Sequence, residues 1–228
     1  MQSLLFDCFF SKQFKFKLYI VVEVNSMIYK IQHISINKDK RPGTKIIPEY
    51  ITIHSTANLK STAQNERDWL ANPSNNRVAS WHIVVDEKEI IEAIPLNELA
   101  YHAGSKDGNH KSISIEICES GNREKTLENV VELVSKMLIE RNWGIERLRR
   151  HFDWSGKNCP RILNYNNWEG WEKFKRDVDI MLKNQPSPWA KEAWNWAIKN
   201  GITDGKRPRD IATREEVITI IYRAKGVK

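Results

Sequence analysis

The alternation of apolar and polar residues along the chain predicts several β-strands. Residues 50–55 and 111–118 alternate in the manner of half-buried strands. In the second of these runs the isoleucines share one face, while the serines and Glu116 share the other. Residues 81–86 and 89–94 are apolar runs separated by a short turn, and together they predict a β-hairpin.

Three further segments have the apolar spacing of amphipathic helices. The first is expected to begin at a capping box formed by Ser61 and Gln64 and to run toward Leu70. The second is expected to end at Gly144, because glycine readily adopts the backbone conformation that ends a helix. We assign the apolar stripes of the second and third helices to the hydrophobic core; they comprise Leu127, Val130, Val131, Val134, Leu138, Trp168, Trp171, Phe174, Val178 and Met181.

Strands interleaved with helices predict one mixed α/β domain over residues 27–183. Residues 184–188, Asn-Gln-Pro-Ser-Pro, predict a short linker because of their turn-forming composition. Residues 189–228 predict a small all-α unit of two helices. The chain therefore combines one ordinary domain with a small appendage.

The two-helix unit has clear helix boundaries but too few residues to fold alone. Its first helix, Trp189–Asn200, is expected to stop at Gly201, and its second to begin at a capping box formed by Thr213 and Glu216. A unit of about 40 residues can hardly bury a stable core by itself. We expect it to dock on the first domain, on another chain or on further copies of itself, and the pattern leaves these alternatives open.

Residues 1–26 do not have the pattern of a secretory signal. Asp7 interrupts their apolar part, and the lysines follow that part instead of preceding it. Met27 offers a second start, and codons for the preceding Glu-Val-Asn can resemble a bacterial ribosome-binding site. We therefore predict that native translation begins at Met27 and that residues 1–26 are a leader. Mass spectrometry of natively expressed protein tests this, and an intact peptide carrying Met1 would contradict it.

The composition excludes several classes of protein. Hydrophobic residues make up 40% of the 228 residues, which is enough for a packed core and excludes wholesale disorder. Only 10 glycines and 8 prolines occur, so collagen-like chains are excluded as well. No apolar run of about 18 residues is present, so no membrane span is expected.

Basic residues outnumber acidic ones, and most of the excess lies near the C-terminus. The net charge is +7, with 24 basic against 22 acidic residues over 27–183 and nine against five over 187–228. A basic excess favours polyanionic partners, which include nucleic acid, anionic lipid and cell-wall polymer. The alternative is that the basic excess is ordinary surface charge that keeps the protein in solution.

One cysteine and two histidines suggest a metal site. The three cysteines of the chain cannot form a complete disulfide framework, so intracellular synthesis or a metal-ligand role explains them better. His54 ends a predicted strand, while His151 and Cys159 flank a predicted loop that contains Gly156. Two imidazoles and one thiolate would hold zinc and leave a fourth position open, as in catalytic zinc sites. The alternative is a surface histidine and a buried core cysteine, and spacing alone does not separate the two.

Five sequence motifs, taken in order, resemble those of one enzyme family. Together they are similar to the N-acetylmuramoyl-L-alanine amidases of the type 2 amidase and peptidoglycan-recognition-protein family, and above all to phage endolysins of Gram-positive hosts. The resemblance covers roughly residues 27–182 and implies a central mixed β-sheet flanked by helices, with zinc in a groove. The motifs are Ile-Thr-Ile-His-Ser-Thr-Ala (51–57), Ser-Trp-His-Ile-Val-Val-Asp (80–86), Ala-Tyr-His-Ala-Gly (100–104), Ser-Ile-Ser-Ile-Glu-Ile-Cys (112–118) and His151 followed by Cys159-Pro160.

The resemblance implies a role for each residue that matches a family motif. His54, His151 and Cys159 are implied as ligands of Zn²⁺. Glu116 matches the catalytic carboxylate, and Lys157 matches the lysine that stabilises the oxyanion.

Three further residues, Trp81, His82 and His102, are expected near the substrate. His102 matches a position that lines the substrate groove. Trp81 stands where some relatives have tyrosine, so a role that depends on a phenol is lost. For His82 a structural role is the stronger alternative to substrate binding.

The leading hypothesis is a zinc-dependent hydrolase that cuts the amide bond between N-acetylmuramic acid and L-alanine in bacterial peptidoglycan. We expect a phage or prophage endolysin that is synthesised in the bacterial cytoplasm and acts at the cell wall after release. The alternative is a non-catalytic peptidoglycan-binding module, and zinc content discriminates between the two. Binding of nucleic acid is not expected, because no recognition motif of interleaved basic and aromatic residues is present.

The C-terminal unit resembles a single surface-layer-homology motif. The resemblance rests on residues 189–205, which end in Gly-Ile-Thr-Asp-Gly, and on the Thr-Arg-Glu that begins at Thr213. It implies binding of an anionic secondary wall polymer, for which Arg207, Arg209 and Arg214 are candidates. A homo-oligomer formed through this unit and a merely structural appendage are the alternatives.

Overall fold

The structure is a computed structural model, and it describes residues 21–24, 27–206 and 208–225. Seven strands form one mixed sheet in the order β1-β2-β5-β4-β6-β3-β7. The outer pair β1–β2 and the hairpin β4–β5 are antiparallel, whereas the other neighbouring strands run parallel. The strands are β1 (Val21–Val24), β2 (Met27–Ile31), β3 (Tyr50–Ser55), β4 (Ile83–Val85), β5 (Glu89–Glu92), β6 (Ser112–Ile117) and β7 (Leu148–Arg150).

Helices flank this sheet, as the sequence predicted for an α/β domain, and that fold class is confirmed. The helices of the domain are α1 (Ala63–Ala71), α2 (Lys106–Lys111), α3 (Arg123–Arg141), α4 (His151–Ser155) and α5 (Glu169–Lys183). Two more helices, α6 (Lys191–Lys199) and α7 (Arg214–Ala224), form the C-terminal unit.

The larger part of the hydrophobic core lies between one face of the sheet and helices α3 and α5. Alternate residues of β3 and β6, among them Ile53 and Ile115, point into this core and are fully buried. The predicted stripes of α3 and α5 meet them, with Val134 and Phe174 in the same cluster. Strand alternation therefore sends the intervening polar residues of β3 and β6 to the opposite face.

The opposite face of the sheet carries a smaller core and leaves room for a polar site. Leu70 of α1 packs there with Trp81, Ile91 and Cys118. Cys118 is fully buried there and packs as an apolar side chain. Beyond this cluster, the same face carries the polar residues of β3 and β6.

Two helix boundaries differ from those predicted. Helix α1 is capped by Thr62, whose side chain accepts a hydrogen bond from the backbone N–H of Asn65, instead of by Ser61 and Gln64. Helix α3 ends at Asn142 in the left-handed conformation, and Gly144 instead precedes a short 3₁₀ helix. At the start of α1, Thr62 supplies the capping hydrogen bond that was predicted for Ser61 and Gln64. At the end of α3, Asn142 adopts the helix-ending conformation that was predicted for Gly144.

The C-terminal unit leaves its apolar residues largely exposed. The capping box of Thr213 and Glu216 is confirmed at the start of α7, and the first predicted helix is present as a 3₁₀ turn followed by α6. Every described residue of α7 is exposed, including Ile218 and Ile220. The first domain therefore does not cover α7 in the described part of the chain.

The predicted leader lies mostly outside the described residues, since positions 1–20 and 25–26 are not described. Residues 21–24 form β1, which pairs with β2 from Val21 opposite Lys30 to Val24 opposite Met27. This pairing does not test where translation begins. None of the described helices combines the length and hydropathy that a bilayer-crossing helix needs.

Candidate active site

Strands β3 and β6 place the first two site residues side by side. The two strands pair in parallel, and His54 lies opposite Glu116 in their register. His54 is 2% exposed, and its Nδ1 lies 3.9 Å from Oε1 of Glu116. Ser112 and Ser114 share the predicted polar face of β6 with Glu116 and are fully buried.

His151 and Cys159 reach the same place through a tight reversal of the chain. The predicted loop begins instead as helix α4, whose first residue is His151. Gly156 ends α4 with φ of 73°, a left-handed conformation that glycine adopts without strain. The backbone N–H of Phe152 then donates to the carbonyl of Cys159 at 3.0 Å, which brings the cysteine back beside the histidine.

The three predicted metal ligands converge on one point. One nitrogen or sulfur from each of His54, His151 and Cys159 lies within 4.8 Å of the other two, and all three residues are buried. The Nδ1 atoms of the two histidines are 3.0 Å apart, and Sγ of Cys159 lies 3.7 Å from Nδ1 of His54. Tetrahedral zinc with ordinary bond lengths requires about 3.3 Å between two nitrogens and about 3.6 Å between nitrogen and sulfur. The donor set and its spacing therefore fit a zinc ion.

A cavity of about 560 Å³ opens over these three residues. Glu116, Lys157, Trp81 and His102 are among the residues that line it. Within the described chain, several of its lining residues carry buried polar atoms without a hydrogen-bond partner: Thr56 Oγ1, Trp81 Nε1 and Glu116 Oε2. Buried polar atoms are normally paired, so this cavity is shaped for a polar ligand.

The electrostatic environment of Glu116 favours its protonated form. Burial and the neighbouring carboxylate of Glu66 raise the pKa of Glu116 to about 8, against the opposing charge of Lys157. A carboxyl group with a pKa near neutrality can both accept and return a proton. The environment of Glu116 thus suits a general acid and base.

The histidines of the cluster are held neutral, as metal ligands must be. Burial lowers the pKa of His54 well below its usual value, and the neighbouring His102 and His151 act in the same direction. Burial and the charge of Lys157 lower the pKa of His151 to about 4. Burial and the charge of Glu116 raise the pKa of the Cys159 thiol to about 12. A bound divalent cation favours the thiolate, so metal binding at this cluster releases a proton.

The remaining predicted site residues occupy different positions. Trp81 lines the cavity at 6% exposure, and its indole stacks on Trp69 with the ring planes 7° apart. His102 also lines the cavity, and its Nδ1 lies 3.1 Å from Nε2 of His54.

His82, predicted among the substrate-binding residues, is fully buried and is not one of the residues that line the cavity. Its ring is fully buried, with Nδ1 2.9 Å from the Ser114 hydroxyl and Nε2 2.8 Å from the Glu98 carbonyl. Burial lowers its pKa to about 4. These buried contacts agree with the structural alternative predicted for His82.

Of the three arginines proposed for polymer binding, Arg207 lies outside the described residues. Arg209 and Arg214 are exposed, and Nε of Arg209 donates to the carbonyl of Gln185 at 3.0 Å. Their role stays a prediction.

One ion pair at the cavity was missed by the sequence analysis. Arg161 donates to both carboxylate oxygens of Glu119, with contacts of 3.0, 3.1 and 2.6 Å. Oε1 of Glu119 also accepts from the backbone N–H of Ala57 at 3.0 Å, and the N–H of Arg161 donates to the Ser55 hydroxyl at 3.2 Å. The pair therefore joins the segment after His54 to the segment after Cys159. The sequence signal for this ion pair was the position of Arg161 directly after Cys159-Pro160. Its partner Glu119 is distant in the sequence, so the pairing could not be predicted.

The comparisons with known proteins agree with this geometry. The sequence profile of the family described as N-acetylmuramoyl-L-alanine amidase (Amidase_2) matches residues 42–162, just over half of the chain. The N-acetylmuramoyl-L-alanine amidase CwlA of Bacillus subtilis is 47% identical over 128 residues, which are 53% of this chain and 46% of CwlA. The chain spans about half the length of the curated relatives it matches.

Solved structures show the same fold. The catalytic domain of XlyA, an N-acetylmuramoyl-L-alanine amidase of Bacillus subtilis, is 37% identical with a TM-score of 0.59, and the match covers 65% of this chain and 98% of that domain. A mutant endolysin from Bacillus subtilis is 37% identical with a TM-score of 0.61, over 67% of this chain and 99% of the endolysin chain. The family profile and these likenesses together show that the chain belongs to the N-acetylmuramoyl-L-alanine amidase family.

Proposed function

We propose that the protein is a zinc-dependent hydrolase of the endolysin type, which cuts the amide bond between N-acetylmuramic acid and L-alanine in bacterial peptidoglycan. The observation that carries this proposal is the convergence of His54, His151 and Cys159 beside Glu116 in one open cavity. Relatives named as amidases of this bond, CwlA and XlyA among them, support the choice of substrate.

His54, His151 and Cys159 would hold the zinc ion. A bound zinc polarises a carbonyl and lowers the pKa of a bound water toward about 7. Three protein ligands leave a coordination position open, which distinguishes catalytic from structural zinc sites.

We assign the proton transfer of the reaction to Glu116. Its Oε1 lies 3.9 Å from Nδ1 of His54, and its buried Oε2 has no hydrogen-bond partner in the described chain. The Oε2 atom can take a proton from the attacking water and return it to the amine of the departing L-alanine. Burial and the neighbouring carboxylate of Glu66 raise the pKa of Glu116, which favours its acceptance of a proton.

Lys157 supplies positive charge at the rim of the same cavity. The side chain is exposed, so it can move toward a substrate without breaking a buried contact. Positive charge that faces a developing oxyanion is commonly worth about 3 kcal/mol of transition-state stabilisation. We assign that role to the ammonium group of Lys157.

The alternative, a non-catalytic peptidoglycan-binding module, uses the same cavity without cleaving the polymer. The presence of all three ligands together with an unpartnered carboxylate oxygen favours the enzyme. A binding module has no use for a buried carboxyl group held at the edge of a metal site.

Purified Gram-positive cell walls provide the test. We expect turbidity to fall with the full chain, to stop falling with chelator and to recover with added zinc. The new ends should be free lactyl carboxyls and N-terminal alanine. Cys159→Ser should abolish cleavage, whereas Cys118→Ser, a change at another buried cysteine, should retain it. Wall binding without new ends in the zinc-supplied protein would support the binding module instead.

For the C-terminal unit we propose attachment to an anionic wall polymer, in line with its resemblance to a surface-layer-homology motif. The unit carries a net charge of +4 over residues 187–228, and Arg209 and Arg214 are exposed. Exposed cations favour a polyanion through an interaction that weakens with salt.

A further inference from the structure

A chain of buried hydrogen bonds runs from the metal cluster into the sheet. Nε2 of His54 lies 3.1 Å from Nδ1 of His102, and Nε2 of His102 lies 3.5 Å from the Ser112 hydroxyl. That hydroxyl is also 2.8 Å from the Thr52 hydroxyl and 2.7 Å from the carbonyl of Gly108. His54, His102, Thr52 and Ser112 are all buried, so these contacts are shielded from water.

The acceptor at one end of this chain, the carbonyl of Gly108, sets the direction of the bonds at Ser112 and His102. The indole N–H of Trp154, which can only donate, lies 2.9 Å from the Thr52 hydroxyl. A hydroxyl can accept two hydrogen bonds, so this bond leaves the Thr52 proton free, and the contact with Ser112 takes that proton because the Ser112 proton is used on the carbonyl of Gly108. The carbonyl of Gly108 can only accept, so the single Ser112 proton goes to that carbonyl.

The direction of these bonds determines which nitrogens of the two histidines carry protons. Ser112 has no proton left to donate, so Nε2 of His102 must be the N–H that donates to it. Nδ1 of a neutral His102 is then a lone pair, and it accepts from Nε2–H of His54. A neutral His54 is consequently unprotonated at Nδ1, the atom that faces His151 and Cys159.

We propose that His102 is a positioning residue, which holds His54 in the tautomer that presents the Nδ1 lone pair to the metal. This inference rests on the zinc site proposed above and adds a second role to His102, whose predicted role was to line the groove. The backbone of His102 is also fixed, because Asn109 Oδ1 accepts from the N–H groups of His102 and Ala103 at 2.9 and 2.8 Å. Hydrogen bonds thus hold both the ring and the backbone of His102 before any ligand binds.

Removing the acceptor should weaken metal binding more than it weakens the fold. A histidine ligand usually donates its second N–H to an acceptor, and losing such an acceptor typically costs about 10–100-fold in metal affinity. We expect His102→Leu, which has no acceptor, to raise the zinc dissociation constant by about that factor. His102→Asn keeps an oxygen near the position of Nδ1 and should retain most of the affinity.

Thr52→Val provides a matched control within the same chain of bonds. It removes the bonds to Trp154 and Ser112 but leaves the Ser112 proton on the Gly108 carbonyl, so the direction of the bonds at His102 is unchanged. The variant should lower the melting temperature of the metal-free protein and leave the zinc dissociation constant unchanged. Ser112→Ala, in contrast, removes the acceptor for His102 and should weaken zinc binding.

The direct test is nitrogen-15 NMR of the histidine rings in the metal-free full chain, alongside zinc titrations against a chromophoric chelator. We expect the His54 proton on Nε2 in the wild type and a mixture of tautomers in His102→Leu. A His54 proton on Nδ1 in the wild type would overturn the inference, as would unchanged zinc affinity in a folded His102→Leu. A wild type that has the expected tautomer but binds no zinc would refute the proposed metal site and leave the tautomer assignment supported.

Discussion

The ion pair between Glu119 and Arg161 should make a measurable contribution to stability. The Glu119 side chain is 2% exposed, and in Arg161→Ala it would keep the N–H of Ala57 but lose all three contacts to the guanidinium. Removing one partner of a fully buried ion pair costs about 3–5 kcal/mol. The Arg161 side chain is 45% exposed, so water can replace part of the lost interaction, and we expect a loss of about 2 kcal/mol.

Urea unfolding of Arg161→Ala measures this loss at neutral pH. Lys173→Ala is the matched control, because its ion pair with Asp177 lies at the surface, with side chains 62% and 38% exposed. Exposed pairs of this kind contribute about 0–1 kcal/mol. Equal destabilisation in the two variants would refute the reasoning, because burial of the carboxylate would then have no effect.

The same variant connects stability to the site. Arg161 follows Cys159 by two residues, and Ala57 follows His54 by three, so the ion pair links the segments that carry two of the proposed metal ligands. We therefore expect Arg161→Ala to bind zinc more weakly than the wild type even under conditions where it is fully folded. Unchanged zinc affinity in the folded variant would limit the ion pair to a role in stability.

Three further outcomes are expected. Glu116→Gln should lower the rate of cleavage of purified walls by about 10²–10⁴-fold, as expected for a lost general acid–base group, while the melting temperature is retained; full activity would remove Glu116 from the mechanism. Arg41 and Lys45 hold the pKa of Glu98 at about 2, so the folded state binds this proton less tightly than the unfolded chain. The low pKa of Glu98 therefore stabilises the folded state by roughly 3 kcal/mol above pH 5, and this stabilisation should disappear as the pH falls from 5 to 2. Acid titrations followed by circular dichroism should not show this loss in Glu98→Gln. Arg209→Ala combined with Arg214→Ala should reduce retention on walls at low salt, and equal retention would argue against polymer binding.

The sequence predicted those parts of the fold that have a long periodic signal. Residues 50–55 coincide with β3, and the alternation of residues 111–118 correctly separated the core face of β6 from its polar face. Strand β7, with three residues, and helix α2, with six, are too short for periodicity to show and were not predicted. Their pairing and packing depend on neighbours that are distant in the chain.

The candidate site was predictable in its residues but not in its arrangement. Spacing alone did not decide whether His54, His151 and Cys159 form a metal site. Only the resemblance to a family implied all three as ligands of one ion. The parallel register that puts His54 beside Glu116 is a property of the sheet, which no local pattern encodes. The hydrogen bonds of His102 likewise follow from three-dimensional neighbours.

The central claim is that three side chains of this protein hold one catalytic zinc ion, and the zinc content of the purified full chain tests it most directly. After dialysis against trace zinc, elemental analysis should find one zinc per wild-type chain and far less in Cys159→Ser, with Cys118→Ser matching the wild type. A folded wild-type protein that retains no zinc under these conditions would contradict the account.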